Sequence, residues 1–296
     1  MQMSSDGVVR KQLDTALKKI EDILDGSALV FVGPLRFGID DVLRDVERRM
    51  KNKRERLIVI LETPGGFAEV TQRIADKVFR NNFSIVDFVV PNHAMSAGTI
   101  LVMSGDAIYM DDYSNLGPID PQVENFRGQM VPASGYLRQY DGLLQKATAG
   151  TITPAEVQIL VDGFDQAELY KYKQAEQLSV KLLTDWLVQY KFKDWQTTET
   201  RKLPVTPQMR ADRASEIAQK LGNPDLWFSH GRGITLKDLQ SELNLVIDDF
   251  SQNVALNTAI TEYNGLLHDY MAVKSLTSAA HVRGHFRQIS MRSANE

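Results

Sequence analysis

The chain has 296 residues, of which 43% are hydrophobic and 24% charged, and it contains no cysteine. This length exceeds the usual ~100–200 residues of one domain, and the apolar fraction can build a sizeable core, which excludes a disordered or fibrous chain. The lack of cysteine excludes a disulfide framework, a thiolate zinc site, an iron–sulfur cluster and a cysteine nucleophile. The formal net charge of −4 argues against binding to nucleic acid.

The N-terminal residues predict a helix rather than a targeting signal. Apolar side chains recur there at helical spacing, which predicts an amphipathic helix within residues 1–27. The same residues carry charged side chains such as Asp6 and Lys18, and they lack the apolar core of a signal peptide. The apolar runs of the chain are too short to span a bilayer. We therefore expect a cytoplasmic protein without a membrane span.

Alternating strands and helices are predicted next along the chain. Four apolar runs predict strands: Ala28–Val32, Leu57–Leu61, Ser84–Val90 and Ala107–Met110. The run Leu57–Leu61 reads LIVIL, a continuous apolar stretch typical of a strand that is buried on both faces. Helical patterns lie between the strands. This alternation predicts a parallel α/β core across roughly residues 29–122.

The second half of the chain has a helical pattern. Residues Pro154 to Phe192 predict one long helix, and shorter helices are predicted from Pro207 to Leu221 and from Thr235 to Leu243. The last segment, Met271–Glu296, is basic. We expect a frayed, solvated tail there, with contact to an anionic partner as the alternative.

A glycine-containing turn follows the LIVIL strand. It reads Thr63-Pro64-Gly65-Gly66. Paired glycines permit backbone conformations that present N–H groups outward, and they let a substrate approach the backbone closely. Gly65 is therefore a candidate substrate-binding residue, and a plain strand-to-helix turn is the alternative.

A second turn follows Ser84–Val90 and holds a serine among small residues, in the stretch HAMSAGT. A serine between a strand and a helix can expose its hydroxyl, while the next N–H is free at the positive end of the helix. Taken alone, Ser96 is also suited to capping that helix. Together the two turns predict an oxyanion hole, formed by the N–H groups of Gly66 and Ala97, beside a Ser96 nucleophile.

Three motifs carry a resemblance to a known family. In chain order they are LETPGG, VPNHAMSAGTI and MDDYSNLGPIDPQ. They resemble the serine dehydrogenase proteinase family, which is related to the Clp protease subunit and to signal peptide peptidase A. The resemblance covers about residues 29–246. It implies Ser96 as the nucleophile, Gly66 and Ala97 as the oxyanion hole, and a homo-oligomer, commonly ring-like.

The resemblance also implies the fold class, an α/β ClpP/crotonase-like spiral of ββα units. On this fold the predicted long helix is an addition, and a helical extension follows at the C-terminus. We expect three parts: an N-terminal amphipathic helix at 1–27, a serine peptidase domain at 28–248, and a helical, basic extension at 249–296.

Two designs are open for the general base. In the first, His230 is the base, and an aspartate between Ser96 and His230 in the chain orients it, as proposed for the family. The matching candidates are Asp120 and Asp162. In the second design Lys146 is the base, as in signal peptide peptidase A. A lysine acts in this way only when desolvation or nearby positive charge lowers its pKa. The alternatives are a solvated Lys146 and a His230 that serves only in packing.

The sequence therefore predicts a serine endopeptidase that hydrolyses peptide or protein substrates through an acyl-enzyme on Ser96. His93, three residues earlier, is a candidate substrate-binding residue, with packing beside the turn as the alternative. Two other functions stay open: a catalytically silent scaffold of this fold, and an acyl-CoA-processing crotonase relative. No cofactor or metal is predicted, because neither metal-ligand spacing nor a phosphate-binding glycine motif occurs. Any ATP dependence would come from a separate ATPase partner.

Overall fold

The computed structural model describes residues 4–124 and 130–289. Its longer strands β1, β2 and β3 form where short runs rich in aliphatic and β-branched side chains stand between turn residues. The strands are β1 (Ser27–Val32), β2 (Arg56–Glu62), β3 (Ile85–Val89), β4 (His93–Ala94), β5 (Ala107–Met110), β6 (Asn115–Leu116), β7 (Gln122–Glu124), β8 (Met130–Pro132), β9 (Ile234–Thr235), β10 (Asp248–Asp249), β11 (Ala279–Val282) and β12 (His285–Gln288).

Helices fill most of the remaining chain. They are α1 (Ser5–Leu24), α2 (Ile39–Arg48), α3 (Ala68–Arg73), α4 (Ala97–Val102), α5 (Ala133–Thr148), α6 (Pro154–Asp162), α7 (Gln166–Trp186), α8 (Pro207–Leu221), α9 (Pro224–Trp227), α10 (Leu236–Ser241) and α11 (Val254–Val273). Short π-helical segments at Ile74–Phe79 and Leu187–Lys191 continue α3 and α7, and a 3₁₀ turn spans Phe250–Gln252. Within the described ranges, no helix is both long enough and apolar enough to cross a membrane.

A seven-stranded sheet forms the centre of the molecule, in the order β10-β5-β3-β2-β1-β11-β12. Its first five strands in that order are parallel, and β11 and β12 are antiparallel. Side chains alternate between the two faces of the sheet. Leu29 and Phe31 of β1 therefore pack in one core with α2 and α8, while Ala28 and Val30 pack in a second core with α1 and α11. The predicted parallel α/β core is confirmed.

A second, smaller sheet holds the two turns singled out in the sequence. Its strands β4, β6 and β9 are neighbours in that order. Single bridges extend it on the other side, because Thr63 pairs with Ala94 and Leu35 pairs with Gly66. Five chain segments thus lie side by side, and the segment that ends in Ser96 is the central one.

The two ends of the chain pack together on the central sheet. The predicted N-terminal helix is present as α1, and its apolar face, including Leu13, Leu17 and Ile20, lies in the same core as α11. The expectation of a frayed tail is wrong for residues 279–288. There β11 pairs with β1 and all four of its residues are buried. The prediction considered the basic residues of this segment and overlooked the short buried strand β11 among them. Arg292 and Glu296 lie outside the described residues.

The predicted helix from Pro154 to Phe192 is two helices, α6 and α7. Gly163 ends α6, and Asp165 begins α7 by accepting hydrogen bonds from the N–H groups of Ala167 (2.8 Å) and Glu168 (3.0 Å). Glycine has a low helix propensity, so it is common where a helix ends. Aspartate is common where a helix begins, because its carboxylate accepts hydrogen bonds from the first N–H groups of the helix. The apolar periodicity continues across this break, which explains the error. Only the second half is well buried, and Val161 is exposed.

Candidate active site

The Thr63–Gly66 turn requires both of its glycines. Gly65 has φ +101° and Gly66 has φ +153°, conformations that side chains rarely allow. A Cβ atom on Gly66 would lie 2.1 Å from the Leu35 carbonyl oxygen. Thr63 is buried, and its hydroxyl accepts a hydrogen bond from the Gly65 N–H at 3.1 Å. The turn is therefore stabilised by a hydrogen bond between two of its own residues.

The N–H of Gly66 points away from its neighbouring strand. The bridge to Leu35 uses the groups on either side of Gly66: Leu35 N–H donates to the Gly65 carbonyl (2.8 Å), and Phe67 N–H donates to the Leu35 carbonyl (2.9 Å). In a parallel pairing of this kind, the central residue directs its own N–H to the opposite side. No acceptor for this N–H lies among the described residues. It is a free donor on the side where Ser96 lies.

Ser96 has a strained backbone. Its φ is +51° and its ψ is −114°, a region that costs about 1–3 kcal/mol for a residue other than glycine. Ser96 precedes α4, yet its side chain makes no capping hydrogen bond to that helix. The simple capping interpretation is therefore wrong. The Ala97 N–H, the first of α4, has no acceptor within the described part of the chain, so it is a second free donor.

Small residues let the two turns touch. A Cβ built on Gly65 would lie 3.0 Å from Ser96 Cβ and 3.4 Å from Ala97 N. A Cβ on Gly98 would lie 2.4 Å from Thr63 Cγ2. Larger side chains at either glycine would push the turns apart. The structure thus places Gly65 beside Ser96 and Ala97, and Gly66 follows Gly65 in the same turn.

The small sheet also brings Asp120 and His230 to this end of the molecule. Strands β4 and β6 are parallel, so Ser96 and Asp120 follow them in the same direction. Strand β9 is antiparallel to β6, and Leu116 pairs with Ile234. Continuing that register by four residues places Asp120 opposite His230. Their side chains meet, with 2.8 Å between His230 Nδ1 and Asp120 Oδ1.

The Asp120–His230 pair is buried on one side and open on the other. Asp120 is 2% exposed as a side chain, whereas His230 is 27% exposed. A carboxylate only accepts hydrogen bonds, so Nδ1 of a neutral His230 is the donor and Nε2 keeps its lone pair. No described residue hydrogen-bonds to that Nε2, and Ser96 Oγ does not do so in this structure. The imidazole is thus oriented by Asp120 and has one nitrogen available.

The structure places the other candidates elsewhere. Lys146 lies in the last turn of α5, exposed, and forms an ion pair with Glu156. Hydrogen bonds from Lys146 and Thr153 lower the pKa of Glu156 to about 2. Asp162 is exposed at the end of α6 and accepts a hydrogen bond from Gln158. Among the described residues, neither Lys146 nor Asp162 contacts Asp120 or His230.

His93 and Thr99 hold the framework of the small sheet. The His93 carbonyl accepts the Thr63 N–H at 3.0 Å, which joins the two turns. Thr99 is fully buried, and its hydroxyl accepts the Gly117 N–H at 2.9 Å, which ties β6 to α4. Sequence reasoning missed Thr99 and Gly117. Thr99 lies in the motif VPNHAMSAGTI and Gly117 in MDDYSNLGPIDPQ, so membership of these motifs was the signal that could have identified them.

A cavity of about 480 Å³ opens beside Asp120. Its apolar floor includes Ile119, Val180 and Ala218, from the Asp120 segment and from α7 and α8. The hydroxyl of Thr184 is buried at its wall without a hydrogen-bond partner among the described residues. The cavity lies next to the Asp120 carboxylate, and neither Ser96 nor His230 lines it.

Comparisons with known proteins give the following relatives. An uncharacterized protein of Methanocaldococcus jannaschii is 28% identical over 208 residues, which are 69% of this chain and 57% of that protein. Another uncharacterized protein of the same organism is 34% identical over 87 residues, 29% of each chain. The chain thus spans less than two thirds of the length of either relative.

Two solved structures of mutants of the 1510-N membrane-bound stomatin-specific protease are also similar. One of them, in complex with a substrate peptide, is 15% identical to this chain, with a TM-score of 0.42. The match covers 75% of this chain and 72% of that protein's chain. The other is 13% identical with a TM-score of 0.42, covering 76% and 79%.

The family assignment rests on a longer match. Residues 36–200, more than half of the chain, match the family of ClpP-like SDH-type serine proteinases. The matched stretch includes both glycine-containing turns, Ser96 and Asp120, and it ends before His230. With its ClpP-like fold, this chain belongs to the ClpP-like, serine dehydrogenase-type serine proteinase family.

Proposed function

We propose that this protein is a serine endopeptidase in which Ser96 is the nucleophile. The observation that carries the proposal is the strained backbone of Ser96 beside two free N–H donors, those of Gly66 and Ala97. Strain of this kind is kept where a side chain must be held in one position. Two preorganised N–H groups would stabilise the negative oxygen that forms when a carbonyl carbon is attacked.

The proposed reaction has two stages. Ser96 Oγ forms a bond to the carbonyl carbon of the scissile peptide, its proton passes to His230 Nε2, and the carbonyl oxygen becomes an oxyanion. The C–N bond then breaks, and the leaving amine takes the proton from Nε2. A water molecule attacks the carbonyl carbon of the resulting acyl-enzyme ester, and Nε2 again accepts the proton. The ester C–O bond then breaks, Nε2 returns the proton to Ser96 Oγ, and the acid product leaves. Asp120 holds the imidazole in the tautomer that this sequence needs.

His230 is favoured over Lys146 by its surroundings. A lysine base needs a desolvated setting or nearby positive charge, and the Lys146 ammonium is exposed beside the carboxylate of Glu156. His230 has an oriented ring and an available Nε2. We expect the hydrogen bond between His230 Nε2 and Ser96 Oγ to form when a substrate binds. Catalytic hydrogen bonds are often long without substrate and shorten in the complex.

The homo-oligomer implied by the family resemblance and the cytoplasmic location expected from the sequence pattern stay predictions. Any ATP dependence would come from a separate ATPase partner. Light scattering during size-exclusion chromatography measures the oligomeric state directly. Peptide and protein substrates are expected because the family comprises serine proteinases.

Labelling with a fluorophosphonate tests the nucleophile. We expect labelling at Ser96 and a loss of about 10⁴-fold or more in kcat/KM in the variant Ser96→Ala, because removing the nucleophile leaves only the oxyanion hole and binding. Ser215→Ala, a half-buried serine on α8, is the matched control and should retain both labelling and activity. Unchanged cleavage of casein by Ser96→Ala would overturn the proposal, as would an unlabelled protein that binds coenzyme A.

The base is tested separately. Lys146→Ala should change kcat/KM less than about twofold, since an exposed ion pair contributes little. A loss of several hundred-fold in that variant, with Ser96 labelling abolished, would assign the base to Lys146 instead.

A further inference from the structure

Three exposed phenylalanines of the described ranges lie in loops of the candidate site. Among the described residues, the exposed phenylalanine side chains are those of Phe37 (65%), Phe67 (48%) and Phe228 (82%). Phe67 directly follows Gly66, Phe37 lies two residues after Leu35, and Phe228 lies two residues before His230. Exposing a ring of this size gives up the stabilisation that its burial would provide. Burial in the core therefore does not stabilise these three rings.

The small sheet places these rings on opposite sides of Ser96. The segment of Leu35 pairs with Gly66, and Thr63 pairs with Ala94, so Phe37 and Phe67 lie on one side of the Ser96 strand. Strands β6 and β9 follow on the other side. The loop that enters β9 carries Phe228 and His230. A chain bound across Ser96 would therefore meet Phe37 and Phe67 on one flank and Phe228 on the other.

Phe37 and Phe67 form a continuous aromatic surface. Their ring centroids are 4.8 Å apart, with an angle of 36° between the ring planes. The Phe67 N–H is fixed to the Leu35 carbonyl at 2.9 Å, so the ring is attached to the same bridge that directs the Gly66 N–H. The aromatic pair is thus attached, through Phe67, to the turn that carries Gly66. Two adjoining rings offer enough apolar area to cover one aliphatic or aromatic side chain.

Phe228 is held in solvent by a strained backbone. It ends α9 with φ +63°, and its N–H donates to the Pro224 carbonyl at 2.7 Å. Glycine or asparagine is the usual residue at such a left-handed helix end. A phenylalanine there costs conformational energy and also exposes its ring. The guanidinium of Arg232 lies 5.9 Å from the ring centroid, on the same loop.

We propose that these rings select substrates with apolar side chains on both sides of the scissile bond. This inference rests on the proposed function. Phe37 and Phe67 would contact the part of the substrate that becomes the acyl group. Phe228 would contact the leaving part, because His230, two residues away, gives its proton to the leaving amine. The occupant is an extended apolar polypeptide segment, since a second copy of this chain seated on both flanks would block Ser96.

The experiment compares substrates that differ on one side only. Four internally quenched peptides carry leucine or glycine on the acyl side, and leucine or glycine on the leaving side. Ester substrates with the same two acyl groups share one small alcohol as leaving group. Kinetics are measured for wild type, Phe37→Ala/Phe67→Ala and Phe228→Ala. Tyr170→Ala, an exposed aromatic on α7, is the matched control.

We expect each flank to respond to its own side. Phe37→Ala/Phe67→Ala should lower kcat/KM about tenfold or more for leucine on the acyl side, in peptides and esters alike, because a buried leucine loses its apolar contact. The same variant should change glycine substrates less than twofold. Phe228→Ala should lower kcat/KM only for peptides with leucine on the leaving side, and should leave ester hydrolysis unchanged. Tyr170→Ala should match wild type throughout.

Labelling of Ser96 by a compact fluorophosphonate separates the possible failures. If wild type does not label, the proposed function fails. If all variants label like wild type and keep the leucine-over-glycine preference, the aromatic selection is overturned while the proposed function stands. It is also overturned if the substitutions abolish a self-association seen by sedimentation and leave the preference unchanged, since the rings would then contact a second copy.

Discussion

Two aspartate–histidine pairs among the described residues have similar N–O distances and opposite surroundings. In the small sheet, His230 Nδ1 lies 2.8 Å from Asp120 Oδ1. Between β11 and α1, His281 Nε2 lies 3.0 Å from Asp14 Oδ1. At the first pair the carboxylate is buried and the imidazole is partly open. At the second pair the imidazole is buried, at 1% exposure, and the carboxylate is partly open.

The second pair uses both nitrogens of its ring. Asp14 accepts from Nε2–H of His281, and Tyr263 Oη lies 2.8 Å from Nδ1. Burial raises the pKa of the Tyr263 hydroxyl well above its usual value, so the hydroxyl keeps its proton and donates it to Nδ1. The rings of Tyr263 and His281 are also stacked, with 5.9 Å between centroids. This histidine joins α1, α11 and β11.

The difference shows what makes a histidine available for chemistry. Both imidazoles are oriented by a carboxylate, but only His230 has a nitrogen without a partner among the described residues. A buried ring with both nitrogens paired contributes to folding because breaking either bond leaves a polar group unsatisfied. The His230 ring makes one such hydrogen bond, to Asp120, and its open nitrogen can exchange a proton. The comparison predicts that substitutions at the two histidines have separate effects.

The largest expected effect is on activity, at His230. His230→Gln should lower kcat/KM about 10³-fold, the contribution of a positioned general base. The same variant should lose less unfolding free energy than His281→Gln, because the glutamine amide can still donate a hydrogen bond to the buried Asp120 carboxylate. The comparison breaks if His230→Gln instead unfolds more easily and its folded fraction cleaves normally.

The next effect is on stability, at His281. His281→Gln should lower the free energy of unfolding by about 2 kcal/mol, because the Tyr263 hydroxyl loses its acceptor in a buried setting. Activity per folded molecule should stay at the wild-type level. His285→Gln, three residues after β11 ends, is the control and should change stability by less than about 0.5 kcal/mol. Equal destabilisation by both variants would contradict a specific role for the buried pair.

The smallest effect is a pH dependence from Asp14. Partial burial raises the pKa of this carboxyl, but hydrogen bonds from His281 and from the Gly284 N–H outweigh it, so the net pKa lies below the usual 3.8. A carboxyl with a lowered pKa in the folded state stabilises the protein above its unfolded pKa. That stabilisation is lost as the pH falls through the folded pKa.

Urea unfolding between pH 7 and pH 2.5 measures this dependence. Asp14→Asn should be less stable than wild type at neutral pH, and the difference should shrink below about pH 4, where the wild-type carboxyl takes up its proton. A constant difference over the whole range would show that the Asp14 charge contributes nothing.

Much of the fold was predictable because its signals are local. The LIVIL run and the turn of Gly65 and Gly66 are contiguous in sequence, and the structure has a buried strand and a tight turn there. The motif around Ser96 likewise predicted a strand, a turn and a helix. Periodicity alone misplaced the break between α6 and α7, because apolar spacing continued through Gly163 and Asp165.

Partners distant in the chain could not be chosen in this way. Asp120 and His230 are 110 positions apart, and composition gave no reason to prefer Asp120 over Asp162. The strand register of β6 and β9 brings the first pair together, while α6 leaves Asp162 exposed. The burial of residues 279–282 could not be predicted either, because it depends on pairing with β1, which is distant in the chain.

By itself, the sequence determined the parallel core and the two turns, and with them the family and the place of the proposed nucleophile. These depend on apolar runs and glycines that act within a few residues. Only the tertiary structure decided which aspartate orients His230, that Lys146 lies exposed against Glu156, and that the C-terminal strands complete the central sheet. The physical reason is that strand pairing and helix packing join residues whose separation in the chain carries no local signal.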